Sequence, residues 1–309
     1  MVVFRLSEMI FRAMVDCTFC HKKEVKLLYP ATNSDKTKTG HQFACTNCGY
    51  GVHGPIVKCE SCGIIYVNEP ISQKEISEFY EISQDPVYLR EQKARELTFK
   101  HYLTKLEKTF PHKGKLLDIG TNTGLFVKVA KDNGWYAKGL EPNIQAVQYA
   151  KRTFQLNLIA KPFEMNTFPG ESFDVITMWD VIEHFTDPVS EINKVFRTLK
   201  KDGVFAFSTV DPESLIAKVR GSSWPWYMEM HRVLLSRTVI ERYLLEAGFK
   251  TVIFKPHWRF FSFGYAATRW ESVSPLLAKI LTAIINSLRL NRILVPFYAE
   301  DLYDCYAFK

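Results

Sequence analysis

The stretch that decides the fold runs from Lys115 to Pro142 and reads KLLDIGTNTGLFVKVAKDNGWYAKGLEP. Leu116, Leu117 and Ile119 form a short apolar run, the pattern of a buried strand. Gly120 and Gly124 bracket a tight turn. Leu125 to Asp132 then reads as a helix closed by Gly134. Trp135 to Leu140 is a second strand, with Glu141 at its end. Strand, glycine turn, helix, strand and acid in that order make a ligand site. The turn lets a ligand approach the backbone, and the helix N-terminus offers free N–H groups to an anion. An acid about 20 residues past the turn can hydrogen-bond a ribose.

The spacing of the turn is D-x-G-x-x-x-G rather than the G-x-G-x-x-G of dinucleotide sites. Asp118 stands at the strand end, where it can meet an ammonium group. The stretch resembles motif I of class I S-adenosylmethionine-dependent methyltransferases. That resemblance implies that Asp118 and the turn Gly120–Thr121–Gly124 hold the methionine moiety, and that Glu141, followed by Pro142, binds the ribose hydroxyls. Thr121 departs from the Cys or Ala common there. In the same family the segment after strand three contacts adenine, often through an Asp. The third strand is expected near Leu156 to Ala160, and the Asp position is Pro162 here, so Phe163 and Glu164 take its place. A second resemblance lies in Phe173 to His184, FDVITMWDVIEH. It matches the end of strand four, which implies that Trp179 and Asp180 border the methyl group.

The resemblance covers about residues 70 to 255 and a last strand, Leu302 to Phe308. It implies an α/β, Rossmann-like, seven-stranded and mostly parallel sheet with helices on both faces. Strand six is expected over Thr251 to Lys255. The 45 or so residues from Pro256 to Glu300 then form an insertion, of the kind that builds lids and binding surfaces.

Composition bounds the rest. The 309 residues suffice for one large domain and a small module. A net charge of +7 permits an acidic partner without demanding one, and no basic run is long enough for a nucleic-acid arm. The N-terminus carries charges inside its apolar run and has no signal-peptide core. No uncharged run is long enough for a spanning helix. A cytoplasmic protein is expected.

Six of the seven cysteines fall in C-x-x-C pairs: Cys17/Cys20, Cys45/Cys48 and Cys59/Cys62. Two such pairs complete a tetrahedral Zn²⁺ site. Pairing the first with the third encloses about 40 residues, a ribbon-sized loop. Pairing the second with the third leaves a much tighter loop. The run CESCGIIYVNEP, from Cys59, resembles the second knuckle of methyltransferases that carry an N-terminal zinc ribbon. That favours Cys17, Cys20, Cys59 and Cys62 as ligands, with a ribbon using Cys45 and Cys48 as the alternative. His21, His41 and His53 lie nearby.

The expected organisation is a ribbon over 1–68, a helical link and cofactor cover over 69–113, and the methyltransferase domain over 114–309 with the insertion at 256–300. Ser72 with Glu75 forms a capping box, and Ile71 with Ile76 a staple. A helix follows from about Val87 to Lys108, with Leu89, Leu97, Tyr102, Leu103 and Leu106 facing inward. The insertion gathers Trp258, Phe260, Phe261, Phe263, Tyr265 and Trp270. Lys279, Thr282, Asn286 and Arg289 then line one face of an apolar helix. It either packs on its own domain or a second copy, or makes a peripheral membrane contact through 275–290.

Methyl transfer is an in-line displacement that needs alignment, water exclusion and, for an oxygen or nitrogen acceptor, a base. His184, Asp180 and His231 are the candidates. The function expected is S-adenosylmethionine-dependent methylation of a small molecule, for example a nucleotide-linked sugar or a polysaccharide or lipid precursor. An RNA methyltransferase guided by the ribbon, and a non-enzymatic zinc protein on this scaffold, are the alternatives.

Overall fold

The computed structural model describes residues 16–33, 46, 50–69, 71–81, 85–269 and 274–309. His41, Cys45, Cys48 and Trp270 lie outside the described residues. Three short strands come first: β1 (Val25–Tyr29), β2 (Ile56–Cys59) and β3 (Ile65–Val67), paired antiparallel in that order. Helices α1 (Gln73–Glu81), α2 (Pro86–Arg90) and α3 (Gln92–Thr109) lead to β4 (Lys115–Ile119). Then come α4 (Leu125–Asp132), β5 (Tyr136–Leu140), α5 (Ile144–Phe154) and β6 (Phe173–Trp179). After β6 the chain makes a 3₁₀ turn, Ile182–His184, before α6 (Pro188–Thr198) and β7 (Leu199–Val210). The rest is α7 (Leu215–Arg220), β8 (Val233–Leu234), α8 (Arg237–Glu246), β9 (Thr251–Ser262), α9 (Phe263–Arg269), α10 (Pro275–Ser287) and β10 (Leu294–Phe308).

The main sheet has the order β5-β4-β6-β7-β10-β9. Strands β5, β4, β6 and β7 are parallel, and β10 runs antiparallel to both β7 and β9. Chain order reverses between β4 and β6, so a crevice opens at their carboxyl ends, where α/β sheets bind ligands. Among the described residues six strands pair where the resemblance implies seven. The third, near Leu156 to Ala160, shrinks to one parallel bridge between Leu140 and Ile159. The chain turns away just beyond it at Pro162, which has no N–H to extend a ladder.

Two further expectations change. The long helix before β4 breaks at Glu91 into α2 and α3. The buried stripe of α3 is Ala94, Thr98, Tyr102 and Leu106, spaced by four, with Leu103 beside it. Leu97 is out of phase with it and Leu89 lies before the break, and each is 38% exposed. The expected insertion also begins and ends as sheet. β9 continues to Ser262 and β10 starts at Leu294, so the two form one long antiparallel ribbon with α9 and α10 at its tip. Its register shifts between Ala299 and Tyr303, opposite Pro256. Helix α10 packs against α9 and, among the described residues, leaves an apolar face open. Leu276, Leu277, Ile280 and Ile284 are exposed, and so is Leu288 just beyond it.

The small sheet takes its fourth strand, β8, from beyond β7, in the order β1-β2-β3-β8. One apolar cluster runs through both sheets, from Val25, Val57 and Ile64 to Leu117, Ile176 and Phe205.

Candidate cofactor and acceptor cavity

A cavity of about 730 Å³ lies at the carboxyl ends of β4 and β6, closed over by α1, α3 and β9. One wall is backbone. Gly120 has φ +68°, and a Cβ there would sit 2.7 Å from Val181 Cγ2. Gly124 is the N-cap of α4 at φ +73°, and a Cβ there would have Leu156 and Leu158 within 3.2 Å. Only glycine combines that backbone angle with so little room. Glu141 is fully buried at the end of β5. Its Oε2 accepts from the Asn122 N–H at 2.7 Å and its Oε1 from the Asn143 N–H at 2.8 Å. The carboxylate thereby ties the glycine turn to the start of α5. Asp118 is buried too, and its Oδ1 accepts from Thr177 Oγ1 at 2.6 Å. Burial pushes both carboxyls up to about 7 against the pull of their donors.

The opposite wall is made of side chains from distant segments. Asp180 follows β6 in the left-handed region, φ 55°, unusual for a residue with a side chain. Its N–H and Oδ1 both bond Ser208 Oγ, at 3.0 and 2.7 Å, and Arg259 Nη2 donates to its Oδ2 at 3.2 Å. Desolvation opposes ionisation here, but Arg259, His257, the Ser208 hydrogen bond and Arg95 together outweigh it and hold the carboxyl at about 2. Arg259 is held in turn by His257, whose Nε2 accepts from Arg259 Nε at 3.1 Å. His257 Nδ1 donates to Asp304 Oδ1 at 2.6 Å, and Lys105 pairs with the same Asp304. The chain Lys105–Asp304–His257–Arg259–Asp180 thus fixes one carboxylate at the cavity.

His184 and His231 face each other with ring centroids 5.1 Å apart. His184 Nδ1 bonds the Met230 carbonyl at 2.9 Å, and His231 Nδ1 the Trp226 carbonyl at 3.0 Å. Burial lowers both, His231 to about 3, so both rings are neutral near pH 7. Glu183 is buried between them and β7, accepting from Thr209 Oγ1 at 2.9 Å. Burial and the neighbouring Asp180 charge push Glu183 up to about 8.

Of the residues singled out from sequence, Asp118, Gly120, Thr121, Pro142, Phe163, Glu164, Trp179, Asp180, His184 and His231 line this one cavity. Gly124 and Glu141 lie directly behind that lining. Trp179 packs on Tyr102 at 4.5 Å between ring centroids, and its buried Nε1 has no hydrogen-bond partner among the described residues. Phe163 is buried under Lys194, which donates to its carbonyl at 3.1 Å. Sequence reasoning misses Arg259, Arg95, Glu183 and Ser208. The signal for Arg259 is the alternation His257, Arg259, Phe261, which continues strand six past Pro256.

Away from the cavity, Cys17, Cys20, Cys59 and Cys62 converge so that their sulfurs all lie within 4.8 Å of one another. Cys17 Sγ is 3.7 Å from Cys62 Sγ, and Cys20 Sγ is 3.6 Å from Cys59 Sγ. Backbone N–H groups of Phe19 and Cys62 point at Cys17 and Cys59 sulfurs, at 3.4 and 3.5 Å.

Among known proteins, the chain is 25% identical over 160 residues to a ubiquinone biosynthesis O-methyltransferase of Haemophilus ducreyi, covering 46% of this chain and 65% of that one. It is 28% identical over 107 residues to the protein of the same name from Actinobacillus pleuropneumoniae, covering 31% and 46%. The chain thus spans about half to two-thirds of the length of these curated relatives. Among solved structures, an S-adenosylmethionine-dependent methyltransferase from Archaeoglobus fulgidus superposes with a TM-score of 0.49 at 18% identity, over 73% of this chain and all of that one. A family model described as a methyltransferase domain matches residues 89–253. That match runs through more than half of the 309 residues, from α2 into β9, and the protein belongs to the methyltransferase-domain family.

Proposed function

We propose that the protein transfers the methyl group of S-adenosylmethionine to an oxygen of a small-molecule acceptor. The observation that carries this is a single cavity bounded on one side by the glycine turn and on the other by Asp180, His184 and His231. The cradle fits the cofactor. Gly120 lines the cavity at a backbone angle and a closeness to Val181 that only glycine allows, and among the described residues the buried Trp179 indole N–H has no acceptor. Asp118 would pair with the ammonium group. Glu141 has lone pairs beyond those taken by Asn122 and Asn143 for the ribose hydroxyls. Phe163 and Glu164 would meet the adenine. When bound, the cofactor supplies an electrophilic methyl on sulfonium. The chain orients that methyl, excludes water and presents the acceptor from the side of Asp180.

An oxygen acceptor is favoured because the relatives carry the name O-methyltransferase. An anionic group on it, as in a nucleotide-linked sugar, suits Arg95. This residue lines the cavity 3.7 Å from the Tyr88 ring centroid, and its buried Nε has no hydrogen-bond partner among the described residues. Calorimetry with S-adenosylmethionine, then mass spectrometry of products from hydroxyl acceptors with and without a diphosphate, tests both levels. No cofactor binding by the wild type would remove the activity. Methylation of uncharged acceptors alone would remove the anionic group.

Zinc in the cysteine cluster is part of the same reading. Tetrahedral Zn–S bonds of about 2.3 Å separate sulfurs by roughly 3.8 Å, close to the distances above. We assign the ion a structural role in a ribbon unit over 1–68, joined through a link over 69–113 to a domain over 114–309. Metal analysis of Cys59→Ser should lose the zinc, whereas Cys45→Ser/Cys48→Ser should keep it. The opposite pattern moves the site to the other pairing.

Among the described residues no helix is long and apolar enough to cross a membrane. A surface contact is a different matter. Residues 274–299 contain no Asp or Glu, and Lys279, Arg289 and Arg292 are exposed beside Leu276, Ile280 and Ile284. That charge and apolar area suit an anionic lipid surface. Sedimentation with phosphatidylserine vesicles should be lost in Leu276→Ser/Ile280→Ser/Ile284→Ser. Sedimentation equal to wild type would end this part of the reading.

A further inference from the structure

We propose that Glu183, His184 and His231 form a divalent-cation site at the acceptor end of the cavity, where the ion binds the hydroxyl oxygen to be methylated. The proposal builds on the methyl-transfer reading for the identity of the acceptor, but not for the existence of the site. One ligand atom from each of the three lies within 4.8 Å of the other two. They come from two segments, the 3₁₀ turn after β6 and the loop before β8, locked together by the Arg232 N–H donating to the Glu183 carbonyl at 2.8 Å.

The tautomers are set for ligation. Carbonyl oxygens only accept, so the Met230 and Trp226 carbonyls require a proton on Nδ1 of each ring. The Nε2 lone pairs are then unprotonated, the form in which imidazole binds metals. Stacking on Trp226, 5.8 Å between centroids and 19° from parallel, fixes the plane of His231. Thr209 takes one Glu183 oxygen and leaves the other. All three residues border the cavity, so a bound ion would keep open positions toward a ligand.

Two imidazoles and a carboxylate suit first-row divalent ions such as Mn²⁺, Fe²⁺ or Zn²⁺. This donor set is harder than the four thiolates of the ribbon, so the two sites are separable by choice of metal. The ion would lower the pKa of a coordinated hydroxyl, whose proton leaves to water. The oxygen lone pair then forms the O–CH₃ bond while the C–S bond breaks and its electrons return to sulfur. The products are a methyl ether, a neutral thioether and one proton.

The test is a Mn²⁺ titration of the zinc-loaded full chain, followed by the electron paramagnetic resonance of free Mn²⁺. One bound Mn²⁺ per chain is expected, with affinity at least tenfold weaker in Glu183→Gln and His231→Asn while the zinc content stays constant. Glu183→Gln is isosteric and can keep the Thr209 contact, so it carries the test if His231→Asn does not fold. Wild-type protein that binds no Mn²⁺ and no Zn²⁺ beyond the cysteine site overturns the proposal, as does unchanged binding in folded Glu183→Gln. Cofactor calorimetry on the same samples separates the two readings. Protein that binds Mn²⁺ but not S-adenosylmethionine keeps the ion site and loses the methyltransferase assignment.

Discussion

The two walls of the cavity are built in opposite ways. The cradle wall comes from one contiguous stretch, Lys115 to Pro142, and its shape is set by backbone: two glycines at positive φ and a buried glutamate holding two N–H groups. The acceptor wall draws Asp180 from the end of β6, His231 from the loop before β8, and Arg259 from β9. Its shape is set by side-chain hydrogen bonds between those segments. Contiguity fixes a binding surface, because neighbouring residues need only fold locally. Chemistry that depends on partners far apart in sequence waits for the whole sheet to form. If this division holds, damage to the cradle should remove cofactor binding, and damage to the acceptor wall should remove turnover with the cofactor still bound.

The sharpest way to break that division is Gly120→Val. The new Cβ would lie 2.7 Å from Val181 Cγ2 in a backbone that disfavours branched side chains. The left-handed angle alone costs roughly 1–2 kcal/mol, before the collision is counted. S-adenosylmethionine affinity should fall at least about 100-fold by calorimetry, from the loss of one or more strong contacts. Adding Val181→Ala relieves the collision but not the angle, so only part of the affinity should return. Full recovery would mean that the backbone angle is irrelevant and the steric contact is everything.

Arg259→Ala attacks the other wall. Asp180 then loses the strongest of the groups that together offset its desolvation, and its pKa should rise from about 2. Because a raised carboxyl pKa favours the protonated form, activity should be lost as pH falls through the new value, giving an acid limb the wild type lacks. A charged hydrogen bond is worth about 1.5–3 kcal/mol, so turnover at pH 7 should drop roughly 10- to 100-fold. Cofactor affinity should change by less than about twofold. Equal losses in turnover and cofactor affinity would mean that the two walls act as one unit.

The same division sets how much is legible in the sequence. The cradle can be read because its turn, helix and acid are neighbours, and each has a local signature. The parallel pairing of β4 with β5 follows from that unit, and the rest of the mostly parallel sheet from the family resemblance. Leu89 and Leu97 mislead because apolar identity alone hides the phase break at Glu91, which moves the buried stripe to Ala94, Thr98 and Tyr102. Pro256 reads in the sequence as the end of strand six. It is tolerated inside β9 because it sits opposite the register shift between Ala299 and Tyr303, where the regular ladder is already interrupted. Beyond it the strand delivers Arg259 to Asp180, so that one misleading proline hides the cation of the acceptor wall. His184 and His231 stand out separately in the sequence. Their meeting cannot be read there, since a loop after β7 brings His231 back over β6.

The smallest expected effect refines the comparison inside the cradle itself. Asp118 and Glu141 are both pushed up to about 7 by burial in the unliganded protein. An acid with a folded pKa above its unfolded value binds more protons when folded. Its contribution to stability is therefore full below the unfolded pKa and declines as pH rises toward 7, with no further loss above it. Cofactor binding runs the other way. The ammonium group and the ribose hydroxyls both prefer the ionised carboxylates, so binding should release protons below pH 7 and affinity should rise with pH. For each carboxyl titrating near 7, mass action weakens binding about fourfold at pH 6.5 relative to pH 8. Calorimetry in buffers of different ionisation enthalpy measures both the affinity and the protons released. Glu141→Gln should abolish its half of the pH response while keeping a weakened complex, because the amide oxygen can still accept from Asn122 or Asn143. A flat affinity from pH 6.5 to 8 with no proton release would mean that the backbone N–H groups on Glu141 and the Thr177 hydroxyl on Asp118 already hold both carboxyls ionised. The cradle would then be electrostatically as well as sterically finished before the cofactor arrives.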